Sequence, residues 1–267
     1  MTTSIIQLNA KSADVASLAP LTFAGYAHFT AMQVRGGRVR GLDLHLARLR
    51  DASDELFGWH LPDEVVLERL HSSLTAAPSD VSLTCFVTSR PGEFAPAGDS
   101  VDLDILVKIT DPATPPTGPL SLDAVEHERH LAHVKHVGEV SKTHLLRRAN
   151  ARGFDDAAFT DRSGRLSEAT IWNLALWDGE SVIWPRAEIL TGVTMRILTR
   201  RLRVLGVSQQ TRDVGLDELG THLCAVVMNS WTPGIPIARI GDAPLGHDVE
   251  FTRLLHSAYG EEPLEAV

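Results

Sequence analysis

Three short stretches of the sequence contain residues suited to react with, or bind, a charged ring compound. HLAHVKHVGE holds Lys135, RSGRLSEATIWN holds Glu168, and ILTGVTMR places Gly192 before a predicted helix. A lysine amine can add to a carbonyl, a fixed carboxylate can hold a proton on a ring nitrogen, and a helix N-terminus attracts an anion. Together these stretches predict a site for a phosphorylated, electrophilic ring cofactor.

Strands and helices alternate along the chain and must position these stretches. In the first half, hydrophobic periodicity predicts strands at 4–8, 25–34, VSLTCFVTS and VDLDILVKIT. It predicts helices at LDLHLARLRDASDELFG and PDEVVLERLHSSLTAA. In the second half it predicts a strand at 120–127, helices at 145–152, 193–205 and 249–259, and the strands DDAAFT, IWNLALW, SVIW, LCAVVM and IPIARI.

A proline-rich segment separates the two halves. Residues 111–119, DPATPPTGP, combine several prolines with a glycine and show no periodicity, which is typical of a semi-rigid linker. Because strands and helices occur on both sides, the fold class is α+β. We expect two domains, residues 1–110 and 120–267, and we assign the lysine stretch to the second.

Composition and charge disfavour several function classes. Hydrophobic residues make up 43% of the chain and charged residues 22%, as in ordinary globular proteins. The net charge of -9 argues against nucleic acid as a partner. We find neither a basic-then-apolar leader nor an apolar run approaching the ~20 residues of a membrane span, so we expect no membrane partner. Cys85 and Cys224 lie far apart in apolar runs, which favours free thiols in the cytoplasm.

A histidine-rich run leaves a second chemistry open. Four histidines recur every third residue beside two glutamates, and such side chains can bind zinc or nickel. Neither a strand nor a helix turns four side chains at that spacing toward one ion, so we expect no metal site. The residues are Glu126, His127, Glu128, His130, His133 and His136.

The motifs HLARL, VKHVG, LSEATIWN and TGVT, in this order and spacing, make the chain resemble the fold type IV pyridoxal-phosphate enzymes, also called class IV aminotransferases. The resemblance covers roughly residues 25 to 256. It implies the two-domain architecture of the D-amino acid aminotransferases, pyridoxal 5'-phosphate as cofactor, a small amine or keto acid as substrate, and a homodimer.

The resemblance also implies roles for individual residues. Lys135 precedes Gly153 at the family's spacing and would form the internal aldimine, whereas Lys142 would fall on the following helix. Glu168 would pair with the ring nitrogen. The expected cofactor-binding residues besides these are Arg48, Thr170, Asn173, Val193, Thr194 and Ser230. The expected substrate-binding residues are His28, Thr30, Asn229 and Trp231.

Departures from the family pattern leave the reaction open. Thr30 stands where branched-chain aminotransferases have a glutamate, and Val140 where they have a tyrosine. SRPGEFAPAG lacks the Arg-x-His pair of D-amino acid aminotransferases, while HLAHVKH and HFTAMQV look more like aminodeoxychorismate lyase. We expect a class IV aminotransferase. Aminodeoxychorismate lyase and a non-catalytic binding module on the same fold are the alternatives.

Overall fold

The structure is a computed structural model that describes residues 3–89 and 102–267. It divides into two compact units. Unit 1 comprises Met1–Ala113, Val134–Gly138 and Pro263–Val267, and unit 2 comprises Thr114–His133 and Glu139–Glu262. The boundary between Ala113 and Thr114 lies inside the predicted proline-rich linker. The stretch SRPGEFAPAG, which lacks the Arg-x-His pair, lies outside the described residues from position 90 onward.

Unit 1 is an antiparallel sheet with two helices. Its described strands pair in the order β2-β1-β6-β5-β3, and β4 pairs with a C-terminal strand, Leu264–Ala266. The strands are β1 Ser4–Leu8, β2 Lys11–Ser12, β3 Ala27–Val34, β4 Arg38–Arg40, β5 Val81–Ser89 and β6 Leu103–Thr110. The helices are α1 Leu42–Phe57 and α2 Asp63–Thr75.

The core of unit 1 follows from its sequence periodicity. Leu42, Leu46 and Leu49 recur on one face of α1 and are buried in the same cluster as the alternate residues of β3 and β5. Helix α1 ends at Gly58, whose φ of +79° is favourable for glycine, and the Gly58 N–H donates to the Asp54 carbonyl. This packing fixes the strand and the helix on which His28, Thr30 and Arg48 lie.

Unit 2 contains a larger mixed sheet. Within its described residues the strands pair in the order β12-β11-β10-β13-β14-β7-β8-β9, with β15 on β14. The strands are β7 Leu120–Glu126, β8 Asp156–Thr160, β9 Leu166–Ala169, β10 Asn173–Trp177, β11 Ser181–Pro185, β12 Ser208–Arg212, β13 Cys224–Asn229, β14 Thr232–Ile240 and β15 Ala243–Pro244. The helices are α3 Val140–Ala151, α4 Val193–Val204 and α5 Val249–Gly260.

One pairing in this sheet bears on the candidate site. Strand β9 pairs with β10 as well as with β8, and the β9–β10 register sets Glu168 opposite Asn173. Two residues that the sequence predicted as cofactor-binding are therefore Cα partners on neighbouring strands.

The domain prediction needs a correction at the lysine stretch. We assigned Lys135 to residues 120–267, but the structure groups Val134–Gly138 with unit 1. The reason is backbone pairing, since Phe29 N–H donates to the Lys135 carbonyl at 2.8 Å and Val137 N–H donates to the Ala27 carbonyl at 3.0 Å. The last residues of the chain also belong to unit 1.

Several elements differ in length from their predicted bounds. Helix α3 begins at Val140 instead of Leu145, and β14 begins at Thr232 instead of Ile235. Strands β9 and β12 were not predicted. Within the described ranges, the structure contains no helix that is both long and apolar enough to span a membrane.

Candidate active site

In unit 1, Lys135 lies on an extended segment that pairs with β3. The two backbone hydrogen bonds to Ala27 and Phe29 fix this segment, and Val134 beside it is buried. The Lys135 Nζ lies 4.8 Å from the centre of the Phe29 ring, a distance at which an aromatic face attracts an ammonium group. The lysine is therefore held at its backbone, while its half-buried side chain reaches along β3.

The predicted substrate residues of β3 are fully buried and hydrogen-bonded to α1. Thr30 Oγ1 lies 2.6 Å from His45 Nδ1, and His28 Nε2 lies 2.8 Å from Ser53 Oγ. Burial lowers the pKa of both histidines to about 3, so both are neutral at pH 7. The structure thus places the His28 and Thr30 side chains in contacts that hold β3 on α1.

Arg48 lies on the same helix. It is half-buried, and its positive charge adds to the effect of burial in lowering the pKa of His45. Arg48 therefore lies within electrostatic reach of the buried His45. That this guanidinium binds the cofactor phosphate stays a prediction.

In unit 2, Glu168 is a buried carboxylate on β9 with an arginine partner. Its side chain is 5% exposed, and Arg129 Nη1 donates to its Oε1 at 3.0 Å. Arg129 also binds Glu139, with 2.6 Å between Nη2 and Oε1. We did not identify Arg129 from the sequence, because nothing in EHERH distinguishes a buried arginine from a solvated one.

Lys142 lies close to the same charges. It is on α3, as predicted, and its Nζ lies 3.8 Å from Glu139 Oε2. Burial lowers the pKa of Lys142, although the charge of Glu168 acts in the opposite direction. The two candidate lysines thus have distinct surroundings: Lys135 lies beside β3 in unit 1, and Lys142 lies near the carboxylates of unit 2.

Thr170, which we predicted as cofactor-binding, donates a hydrogen bond to Asp156, a buried aspartate that we did not identify from the sequence. Thr170 Oγ1 donates to Asp156 Oδ1 at 2.6 Å, and Trp172 Nε1 donates to Asp156 Oδ2 at 2.8 Å. Burial raises the pKa of Asp156, while the bond from Thr170 opposes that rise. These bonds fix the turn that follows Glu168.

Asn173 fixes the start of α4. Its Oδ1 accepts from the Gly192 N–H at 3.1 Å, and its Nδ2 donates to the Leu190 carbonyl at 2.6 Å. A Cβ on Gly192 would lie only 2.1 Å from Asn173 Oδ1. The φ of -60° at Gly192 suits any residue, so glycine is required here by the close approach of Asn173 and not by backbone strain.

The first turn of α4 is therefore held in place at its base. Val193 and Thr194 are buried there, and among the described residues no side chain caps the helix. Uncapped N–H groups and the positive end of the helix dipole attract an anion. The cofactor-binding role of both residues stays a prediction.

The hairpin between β13 and β14 is joined to the same helix end. Thr194 Oγ1 donates to the Asn229 carbonyl at 2.8 Å, and the Trp231 N–H donates to Asn229 Oδ1 at 2.8 Å. Ser230 is half-buried at the tip of the hairpin. Trp231 is 40% exposed, and its ring packs edge-on against Trp172 with 5.6 Å between the ring centres. The structure thus joins Thr194 to the predicted substrate turn.

The histidines of the rival metal hypothesis are spread over both units. His127 packs edge-on against Phe159 in unit 2, whereas His136 forms a backbone bridge with His28 in unit 1. Across residues 3–89 and 102–267, no group of three or more histidine, cysteine, aspartate or glutamate side chains is placed to hold a metal ion.

Comparisons with known proteins identify the family and the fold. Residues 27–240 match the family described as amino-transferase class IV, whereas no curated protein matches the sequence. The structure is similar to the branched-chain aminotransferase from Escherichia coli, at 15% identity over 97% of each chain with a TM-score of 0.83. It is also similar to the branched-chain aminotransferase from Thermobaculum terrenum in its PLP form, at 16% identity over 96% of this chain and 92% of that one, with a TM-score of 0.80.

A third similar structure is a putative 4-amino-4-deoxychorismate lyase from Legionella pneumophila, at 18% identity over 92% of this chain and 94% of that one, with a TM-score of 0.77. These likenesses confirm the predicted α+β, fold type IV architecture. The family match spans most of the sequence and includes Lys135, Glu168 and the start of α4. The chain therefore belongs to the class IV aminotransferase family.

Proposed function

We propose that the chain is a pyridoxal-phosphate-dependent aminotransferase that acts on a small amine or amino acid and a keto acid. The observation that carries the proposal is the pairing of β9 with β10. It sets the buried Glu168 carboxylate opposite Asn173, and Asn173 holds the start of α4. One pair of strands thus fixes both an acceptor for a ring nitrogen and a helix end for a phosphate.

The donor groups of unit 2 fit this cofactor. A buried carboxylate can accept a hydrogen bond from a protonated ring nitrogen, and the uncapped first turn of α4 offers N–H groups to an anion. A helix dipole supplies only about half a unit charge, so a phosphate needs further positive charge. Arg48 is our candidate for that charge, with Ser230 as a further hydrogen-bond donor.

When bound, pyridoxal phosphate supplies an aldehyde that exchanges amines and a ring that accepts electrons. Lys135 would bind the aldehyde carbon and, once released, carry a proton to or from the substrate carbon as a general base. Glu168 would keep the ring nitrogen protonated, and Val193 and Thr194 would hold the phosphate.

The substrate-binding residues are the part of the proposal that concerns selectivity. Trp231 presents an exposed indole beside the helix end, and Ile171, which accepts a hydrogen bond from Asn229, is 43% exposed. Apolar side chains here favour a substrate with an apolar or aromatic group. His28 and Thr30 would act through the position of β3, since their side chains are buried against α1.

The second candidate is a lyase reaction on aminodeoxychorismate. It is favoured by the similarity to the Legionella pneumophila protein and by the stretches HLAHVKH and HFTAMQV. Both reactions need the same cofactor and the same lysine, so substrate assays must separate them. A cofactor-binding protein without turnover is the third candidate.

Activity assays with two lysine variants test the proposal. Purified protein with pyridoxal phosphate is given amino donors with a keto acid, and separately aminodeoxychorismate. Amino-group transfer that is lost in Lys135→Ala but kept in Lys142→Ala is expected. Release of pyruvate and 4-aminobenzoate instead would identify the lyase. Cofactor binding without either product would favour the binding module, and full transfer activity in Lys135→Ala would refute the role of Lys135.

We also propose a homodimer in the cytoplasm. The dimer is the usual state of this family, and the cytoplasm agrees with the free thiols of Cys85 and Cys224. Light scattering of purified protein at several concentrations measures the oligomeric state, and a monomer at all concentrations would contradict the homodimer. Fluorescence imaging or fractionation of cells that express a tagged chain tests the cytoplasmic location.

A further inference from the structure

Arg129 is the most deeply buried charged side chain in contact with Glu168. It lies in the segment after β7, and only 2% of its side chain is exposed. Its Nη1 donates to Glu168 Oε1 at 3.0 Å and to the Ala132 carbonyl at 2.7 Å, and its Nε donates to Glu139 Oε1 at 2.8 Å. One guanidinium therefore binds two carboxylates and a backbone carbonyl.

The contacts with Glu139 and Ala132 fix the orientation of the guanidinium that binds Glu168. The planar fork of arginine places its N–H groups in set directions, and the bonds to Glu139 and Ala132 leave it one orientation. Because Arg129 Nη1 donates to Glu168 Oε1, rotation of the carboxylate breaks a charge-assisted hydrogen bond.

The space beside Glu168 makes this restraint necessary. A cavity of about 160 Å³ borders both Glu168 and Arg129, and His127, Phe159, Arg165 and Ser167 also line it. A carboxylate next to such a cavity has room to rotate. Arg165, which also lines the cavity, is paired with Asp161, with 2.7 Å between Nε and Oδ2.

We propose that Arg129 is a positioning residue that holds the Glu168 carboxylate in the orientation from which it accepts a hydrogen bond from the protonated ring nitrogen of the cofactor. This inference rests on the proposed function. It assigns to Arg129 no contact with substrate or cofactor. Arg129 acts through Glu168 alone, so its removal changes how strongly the protein distinguishes a ring nitrogen from a ring carbon.

Equilibrium binding of two ring compounds tests the inference without turnover. Cofactor-free protein is titrated with pyridoxal phosphate and with its carbocyclic analogue, in which CH replaces the ring nitrogen. The wild type is expected to prefer pyridoxal phosphate by about tenfold or more, the worth of one charge-assisted hydrogen bond. In Arg129→Met this preference should fall toward equal binding. Arg165→Met, which alters the same cavity without touching Glu168, should keep it.

The preference measured in the Arg129 variants decides whether the inference stands. An unchanged preference in Arg129→Met overturns the inference, and a larger preference shows that Arg129 competes with the ring for Glu168, which also overturns it. If Arg129→Met does not fold, Arg129→Lys replaces it. A lysine ammonium cannot bind both carboxylates as a fork, so this variant should also lose preference, and a wild-type value would overturn the inference.

The proposed function fails on a different result. If wild-type protein binds neither compound, the cofactor assignment itself is wrong. If wild-type protein binds both equally, Glu168 does not act on the ring nitrogen, and the inference about Arg129 falls with it. If the wild type shows the preference and Arg129→Met keeps it, only the inference about Arg129 is lost.

Discussion

The contact between Gly192 and Asn173 gives a prediction whose size follows from the structure. In Gly192→Ala the new Cβ would lie 2.1 Å from Asn173 Oδ1, and the second atom within reach, Asn173 Cγ, is 3.3 Å away. Asn173 must therefore move, and its bonds to Gly192 N–H and to the Leu190 carbonyl break. Asn173→Ala removes the same two bonds directly.

Each single change is expected to destabilise the protein by about 2 kcal/mol. A buried polar group left without its partner costs about 1–3 kcal/mol, and the Leu190 carbonyl is such a group, since Leu190 is buried. In the Asn173→Ala background the alanine at 192 meets neither obstructing atom, and its backbone angles suit alanine. The double variant should then cost about 2 kcal/mol, close to Asn173→Ala alone, which is a coupling of about 2 kcal/mol.

Urea unfolding of the wild type, the two single variants and the double variant measures this coupling. Gly260→Ala is the control glycine, because a Cβ there meets no described atom within 4 Å. Its effect should add to that of Asn173→Ala. If the costs of Gly192→Ala and Asn173→Ala also add, the account of the α4 start is wrong.

Three further predictions concern pH, a helix cap and substrate choice. Burial lowers the pKa of His28 and His45 from 6.5 to about 3. Their contribution to the free energy of unfolding should therefore be complete above pH 6.5 and decrease below it, by about 2 kcal/mol per histidine at pH 5. Urea unfolding at pH 7 and pH 5 tests this, and equal stability at both would contradict it. Asp248→Ala should lose about 1 kcal/mol, since Asp248 Oδ1 accepts from two N–H groups of α5, whereas Asp248→Asn should lose less on chemical denaturation. Trp231→Ala should raise KM for aromatic amines about 2- to 10-fold more than for small aliphatic ones, and parallel changes for both would exclude a stacking role.

The local elements of the fold were predictable because they depend on near neighbours. The leucine spacing of α1 with Gly58 after it, and the Asp178-Gly179 turn between β10 and β11, are both decided within a few residues. The α3 start was placed too late because its first turn lacks apolar periodicity, and Val140 there is exposed. Strand β12 was missed because SQQTR is polar and mostly exposed, and its parallel pairing with β11 holds it.

The candidate site was predictable only as far as the resemblance reached. The motifs gave Lys135, Glu168 and Gly192, but not the pairing that brings Glu168 opposite Asn173. The Arg129–Glu168 pair spans 39 residues, and no local pattern predicts a contact at that distance in the chain. The same holds for Asp156 at the start of β8, whose partners Thr170 and Trp172 lie in the turn between β9 and β10. Long-range pairing decided each of these contacts.

Reductive trapping tests the central claim most directly. The protein is incubated with pyridoxal phosphate, reduced with borohydride, digested, and its peptides are mapped by mass spectrometry. The account predicts a phosphopyridoxyl group on Lys135 and none on Lys142, together with an absorbance band near the visible edge that disappears on reduction. A label on Lys142, or a protein that takes up no cofactor, would contradict it.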